Sequence, residues 1–419
     1  MSRWVRLSAA VVAMMMIANL QYAWTLFVDP IVTTHLQLFH ERWKLSDVQW
    51  GFTLFIAFET WVMPFSGWLI DWLGPRLFLS FAGLLCGVGW AGIGQSNTLT
   101  SIYALYSLAG FGAALVYCGC TGIGLKWFPD KRGLAAGLIA AGFGSGAALF
   151  VSPIAHIIHA RDYRAAFLYT GIVQGLVIIL AAQFLGNPPK VQQAATPRVK
   201  VRTHGHDFNS LEMLRTPHFY MMFAMALMMG IGGLMATAQV GPMSKTLKYS
   251  AAILTLSLTI NPLTNGGGRL FWGWVSDLVG REHTMVVAFF LQALILLSVV
   301  TIGKTSPALF IVTIALVFFT WGEVYSLFPS ACADFFGARN ASSNYSFLYS
   351  AKGVASILGG GLAAKLFEKT GSWDYGFYAC AVLALCSSVM AFGLGKMPLP
   401  RKQPQLASPP TSTSTAVGR

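Results

Sequence analysis

Charge is scarce in this chain. Of 419 residues only 10% are Asp, Glu, Lys or Arg, and the acids number 15. A water-soluble domain carries roughly 25% charged residues to coat its surface. A soluble enzyme, a disordered chain and a nucleic-acid-binding domain are therefore excluded. Cysteine is sparse too. The six, Cys86, Cys118, Cys120, Cys332, Cys380 and Cys386, lie in or beside apolar segments, without zinc-site or disulfide-framework spacing. They read as small core residues. No G-x-S-x-G, H-E-x-x-H or nucleotide-binding motif occurs, so neither the common hydrolases nor an ATP-driven machine is indicated. His156 and His159 sit near the edge of an apolar segment and read as interfacial rather than as metal ligands. Nothing implies a metal or a cofactor.

What is present is hydrocarbon. Apolar residues make up 55% of the chain, in twelve runs of about 20 residues, the length that spans a bilayer as a helix. Their expected limits are 5–28, 48–70, 77–95, 102–125, 134–158, 166–186, 219–243, 252–276, 285–303, 308–330, 342–366 and 375–395. They are too long and too evenly apolar for barrel strands. The first follows Arg3 and Arg6, lacks a small-residue cleavage site, and is read as a retained helix rather than a signal peptide. With the N-terminus inside, inner segments hold seventeen Lys and Arg and outer loops nine. That bias places both termini in the cytoplasm and accounts for the net charge of +13 without a polyanion partner.

The expected organisation is a six-helix unit over 1–186, a cytoplasmic linker over 187–218, a second six-helix unit over 219–396 and a disordered tail over 397–419. The two units are related. Gly67-Trp-Leu-Ile-Asp71-Trp-Leu-Gly74-Pro-Arg76 after the second run is echoed by Gly273-Trp-Val-Ser-Asp277-Leu-Val-Gly280-Arg281 after the eighth, the matched Gly, Asp and Gly each offset by 206 residues. Val116-Tyr117 and Trp127-Phe128 recur at an offset of 208 as Val324-Tyr325 and Phe335-Phe336. A parallel repeat, with its axis along the membrane normal, follows. The motif's glycines are expected to let helices approach, and Asp71 and Asp277 to face a helix N-terminus or an arginine across the gap between halves.

Four ionisable residues lie inside runs, where burial is costly and function is the default reading: Glu59, Arg269, Glu323 and Lys352. Counting residues from Asp71, Asp277, Asp334 and Arg339 puts them ~18, ~12, ~16 and ~20 Å deep at about 1.5 Å per residue. Two cations at that depth imply an anionic substrate, since arginine offers a bidentate fork for a carboxylate and lysine a point charge. The alternative is structural: internal bridges of Arg269 with Glu323 and of Lys352 with Glu59. Polar-tipped aromatics accompany them, among them Tyr22, Trp24, Tyr117, Trp321, Tyr325 and Tyr349, the last one helical turn from Lys352.

The doubled G-x-x-x-D-x-x-G-x-R pattern resembles the loop signature of the major facilitator superfamily, over about residues 5–395. The resemblance implies an all-α membrane protein: twelve transmembrane helices in two six-helix bundles that rock about a midplane site. Asp71, Arg76, Asp277 and Arg281 would then act in gating. Gln21-Tyr-Ala-Trp-Thr-Leu26, Lys126-Trp-Phe-Pro-Asp-Lys-Arg-Gly-Leu-Ala135, Asn265-Gly-Gly-Gly-Arg-Leu-Phe-Trp-Gly273 and Phe319-Thr-Trp-Gly322 are similar to segments of the oxalate:formate antiporter family. So are Asp207-Phe-Asn-Ser and Glu212-Met-Leu-Arg-Thr-Pro217.

That family implies carboxylate binding by Arg269 and Lys352, with Gln21, Tyr22, Tyr117, Trp321, Tyr325 and Tyr349 around it. Phe143 and Tyr349 stand where the family has a tyrosine and a tryptophan, and Glu59 and Glu323 are additions. The extra acids raise a second possibility, a proton-coupled monocarboxylate symporter using Glu59 or Glu323. A non-transporting membrane sensor is the third. The implied partners are small carboxylate anions, protons and the lipid bilayer, with the chain acting as a monomer in the cell inner membrane.

Overall fold

The computed structural model describes residues 2–39, 43–128, 132–187, 207–337 and 340–400. Among them there is no strand. A backbone in hydrocarbon can satisfy its polar groups only within its own segment, so each apolar run closes into helix. Span one comprises Arg3–Tyr22 and Thr25–Phe39; span two, Leu45–Trp61 and Met63–Leu73; span three, Pro75–Ile93; span four, Leu99–Trp127. Span five comprises Arg132–Gly146 and Ala148–Ala160, and span six is Tyr163–Phe184. After a short helix, Ser210–Met213, come span seven, Pro217–Thr246, span eight, Ala251–Val279, and span nine, Arg281–Thr301. Span ten comprises Pro307–Trp321 and Val324–Phe336. Span eleven comprises Ala341–Tyr349, Ala351–Ile357 and Ala363–Thr370, with a π-helical turn at Leu358–Leu362, and span twelve is Asp374–Lys396.

Among the described residues ten helices are long and apolar enough to cross a membrane on those grounds alone. Spans two and eight are not among them. Span two is broken after Trp61 and carries Asp47 and Glu59; span eight carries Asn261, Asn265 and Arg269. Their neighbours explain the polar load. Span two packs along span eleven, and span eight along span five, each against the opposite half of the chain. Lipid-facing positions elsewhere are apolar, with Phe65, Leu180, Trp274 and Val389 all strongly exposed.

Span one departs most from expectation. Its expected end near residue 28 is not an end. The helix breaks at Ala23 and Trp24 and resumes to Phe39. The Trp24 ring stacks on Tyr106 at 4.4 Å and its Nε1 donates to Gln49 Oε1 at 3.3 Å, while Thr25 Oγ1 accepts from the Gly241 backbone N–H at 2.7 Å. The break is thus pinned by span two, span four and span seven.

The second glycine of each motif serves a turn rather than a helix approach. Gly74 and Gly280 close spans two and eight with φ of +72° and +97° and nearly equal ψ, 156° and 154°. A Cβ at Gly74 would meet nothing within 4 Å, so its need is conformational rather than steric. The same turn twice is the geometric counterpart of the sequence repeat.

The expected linker is described in part. Residues 188–206 lie outside the described residues, but 207–216 dock on the second half. Phe208 N–H donates to the Phe336 carbonyl at 2.9 Å, and its own carbonyl accepts from the Asn340 and Asn344 side chains at 2.9 and 3.1 Å. Asn209 and Glu212 form a capping box on the short helix. Of the expected tail, 401–419 lie outside the described residues.

Candidate functional site

Three of the four buried charges converge, and one does not. Lys352 follows the break in span eleven at Ser350, and it is 5% exposed. Its Nζ donates to Glu59 Oε2 at 2.8 Å, Gln21 Oε1 at 2.8 Å and Tyr349 Oη at 3.3 Å. The Lys352–Glu59 bridge of the structural alternative is therefore present, and it joins span eleven to span two.

Arg269 is 3% exposed and makes no such pair among the described residues. Its Nε donates to Asn265 Oδ1 at 3.1 Å, Nη1 to the Ala140 carbonyl at 3.1 Å, and Nη2 to Tyr22 Oη at 3.4 Å. All three acceptors are neutral. Its guanidinium also lies 4.3 Å from the centre of the Tyr325 ring and 5.6 Å from that of Phe143, and Lys352 lies 5.8 and 5.6 Å from the same two rings. Desolvated cations over aromatic faces gain electrostatically from the ring quadrupole.

The Arg269–Glu323 bridge of the same structural alternative is not formed among the described residues. Glu323 is fully buried, but both its carboxylate oxygens lack a hydrogen-bond partner. Glu323 lies two residues from Trp321 and two from Tyr325, across the helix from both. Thr320, one turn before it, donates to Gln292 of span nine, within the second half.

Five of the aromatics, Tyr22, Tyr117, Trp321, Tyr325 and Tyr349, gather around the two cations. Tyr117 lies 5.5 Å from Phe143 and 5.6 Å from Tyr349, and Tyr325 lies 6.0 Å from Tyr349 and 5.4 Å from Trp321, centre to centre. The Trp321 ring fills the space that any side chain at Gly233 would need. Trp24 belongs instead to the break in span one. Sequence reasoning missed Asn265 and Tyr345. Asn265 Oδ1 accepts from both Arg269 and Tyr22, the latter at 3.2 Å, while its Nδ2 holds the Phe318 carbonyl at 3.1 Å. The signal was available: Asn265 precedes Arg269 by one turn on the same face. Tyr345 stands 5.7 Å from Tyr349 and, with Tyr325 and Lys352, bounds a void of about 20 Å³. That is room for roughly one water. A larger groove, about 460 Å³, opens between His159 and Thr259 and contains neither cation.

The motif charges sit apart from this cluster. Arg281 reaches Asp277 at 2.7 Å and Asp334 at 3.3 Å, so among the described residues Asp277 meets an arginine of its own half and not one across the gap. Arg76 Nε donates to the Leu185 carbonyl at 3.3 Å. The side chain of Asp71 lies outside the described residues.

The Major Facilitator Superfamily sequence profile matches residues 7–360 and again 234–417. The chain belongs to the major facilitator superfamily. Over 400 residues it is 40% identical to the oxalate:formate antiporter of Oxalobacter formigenes, across 96% of this chain and 92% of that one. That places it in the oxalate:formate antiporter family. It is 24% identical to apicoplast pyruvate carrier 1 of Toxoplasma gondii, across 86% of this chain and 77% of that one. Similarity to human monocarboxylate transporter 11 is 25% identity, across 55% of this chain and 48% of that one. As a superfamily member the protein is a multi-pass membrane transporter with the twelve-helix, two-bundle fold. It is not an enzyme.

Proposed function

We propose that the protein exchanges small carboxylate anions of the oxalate and formate type by alternating access, with Arg269 and Lys352 binding the carboxylate. One observation carries this reading: two buried cations from one half are each held by neighbouring residues of the other, Tyr22 on Arg269 and Gln21 on Lys352. A substrate that replaces those contacts would act on both halves at once. Tyr117, Trp321, Tyr325 and Tyr349 would bound it. The halves 1–186 and 219–396 move as bodies about it, joined through 187–218, with Asp71, Arg76, Asp277 and Arg281 gating the cytoplasmic end. Both termini are cytoplasmic, and the monomer works in the cell's inner membrane. The test is exchange of labelled formate and oxalate in proteoliposomes. Arg269→Gln and Lys352→Gln should each abolish it in correctly inserted protein, because truncating one partner of a buried charged contact costs about 2–5 kcal/mol. Wild-type exchange rates in both variants would refute the assignment.

The approach of Glu59 to Lys352 favours a second reading, proton-coupled monocarboxylate uptake. An arriving carboxylate that took Lys352 would leave Glu59 in a dry site without its partner, and a proton would then bind with the substrate. Glu323 meets neither cation, so this reading rests on Glu59 alone. Uptake measured at varied external pH in wild type and Glu59→Gln separates the two. A pH response present in wild type and lost in the variant indicates symport.

A further inference from the structure

We propose that Glu59 is a built-in counter-charge that selects substrate by valence, favouring singly charged carboxylates over dianions. This rests on the reading that carboxylates bind at Arg269 and Lys352, and it concerns which of them the site accepts.

Two inventories lead to it. The first is charge. Among the described residues, Arg269, Lys352 and Glu59 are the cluster's Arg, Lys, Asp and Glu side chains, since Glu323 touches neither cation. With Glu59 ionised against Lys352, the cluster carries one net positive charge. A monoanion brings a closed, dry site to neutrality. A dianion overshoots it, and an uncompensated charge in such a place is expensive.

The second inventory is of hydrogen-bond donors. Lysine has three and arginine five. Lys352 spends its donors on Gln21, Glu59 and Tyr349. Arg269 has committed Nε, Nη1 and Nη2 once each to neutral oxygens, and the Tyr117 hydroxyl also stands against it, so every group that a carboxylate would compete with there is uncharged. A carboxylate at Arg269 therefore displaces only neutral groups, whereas one that replaces Gln21 on Lys352 must share that ammonium with Glu59. A second carboxylate on the same molecule must compete with Glu59 for one ammonium. Glu59 is not diverted elsewhere either, because its Oε1 has no partner. It belongs to Lys352 alone.

The experiment compares initial rates of labelled formate and oxalate uptake, under identical exchange conditions near neutral pH, in wild type and Glu59→Gln proteoliposomes. The expected result is a formate-to-oxalate ratio that falls by about tenfold or more in Glu59→Gln, the change that one lost charge contact readily produces. A ratio that stays within twofold of wild type overturns the proposal. A second measurement needs no variant: unlabelled acetate and pyruvate should inhibit wild-type formate uptake at lower concentrations than oxalate and malonate do. The reverse order in wild type overturns the proposal even if Glu59→Gln fails to insert. Failure of the underlying reading is distinct. There, Arg269→Gln would transport as wild type does, or no carboxylate would be moved at all.

Discussion

At the scale of single residues, the site is held by uncharged side chains as much as by charged ones. Asn265 accepts from Arg269 and Tyr22 and donates to the Phe318 carbonyl. Asn265→Ala leaves two buried donors, Arg269 Nε and the Tyr22 hydroxyl, without their acceptor, each worth about 1–3 kcal/mol, while the Phe318 carbonyl keeps the Gly322 N–H. Both carboxylate affinity and the thermal midpoint in detergent should fall, and an unchanged affinity would show that Arg269 is oriented by its other contacts. Glu323 predicts the opposite sign. Its buried oxygens have no partners, and an apolar residue of similar shape removes a desolvation cost without removing a bond. Glu323→Met should raise the thermal midpoint and keep exchange, with midpoint and rate measured on one preparation. These two residues also mark what the sequence could tell. The charges inside apolar runs were legible because hydropathy makes them conspicuous. Which way each faced was not, since depth is read along a helix axis and partners are chosen around it. Asn265 was overlooked because an amide does not stand out in a run as a charge does.

At the scale of elements, the twelve runs were legible and their interruptions were not. Pro30, Pro153 and Pro329 all lie inside helices, while the breaks come at Ala23, Val62, Ala147, Gly322 and Ser350. Two breaks meet across the halves: Trp61 Nε1 donates to the Ser350 carbonyl at 3.2 Å. Tertiary contact, which no local pattern records, sets the positions. Below that crossing, spans two and eleven pack through small residues. Thr53 and Ser356 exchange hydrogen bonds at 3.0 and 3.1 Å, and a Cβ at Gly361 would sit 2.7 Å from the Trp50 ring. Small residues let membrane helices approach where apolar burial alone cannot drive them together. Gly361→Leu should hold the two spans apart and slow exchange at least about tenfold with insertion intact, since a bulky insertion into a packed contact costs about 1–3 kcal/mol. Exchange rates normalised to inserted protein check this.

At the scale of the whole molecule, the ties between halves are unevenly placed. Where spans one, two, seven and eleven end together, Lys245 pairs with Asp29, and Glu368 accepts from Ser46 N–H and Oγ at 2.8 and 3.1 Å. Glu368 thus lies against the first turn of span two, where backbone N–H groups favour a carboxylate. The Lys245–Asp29 pair is exposed and worth about 0–1 kcal/mol. The Glu368 contact is the stronger latch. Glu368→Gln should open that end more often than Asp29→Asn does, shifting the balance by about 1–3 kcal/mol. A single cysteine introduced near Ser46 would report it, labelling faster in Glu368→Gln and only slightly faster in Asp29→Asn. Equal labelling in all three proteins would place the latch elsewhere.

Gln21 and Tyr22 are consecutive residues, yet one holds Lys352 and the other Arg269. Consecutive helical residues point about 100° apart, so the two cations are addressed by a single angular setting of span one. Neither can be released by rotation without disturbing the other. The pair works as a two-pronged key on one shaft, and the shaft has phase: one residue inserted between Arg3 and Gln21 would turn both prongs away together.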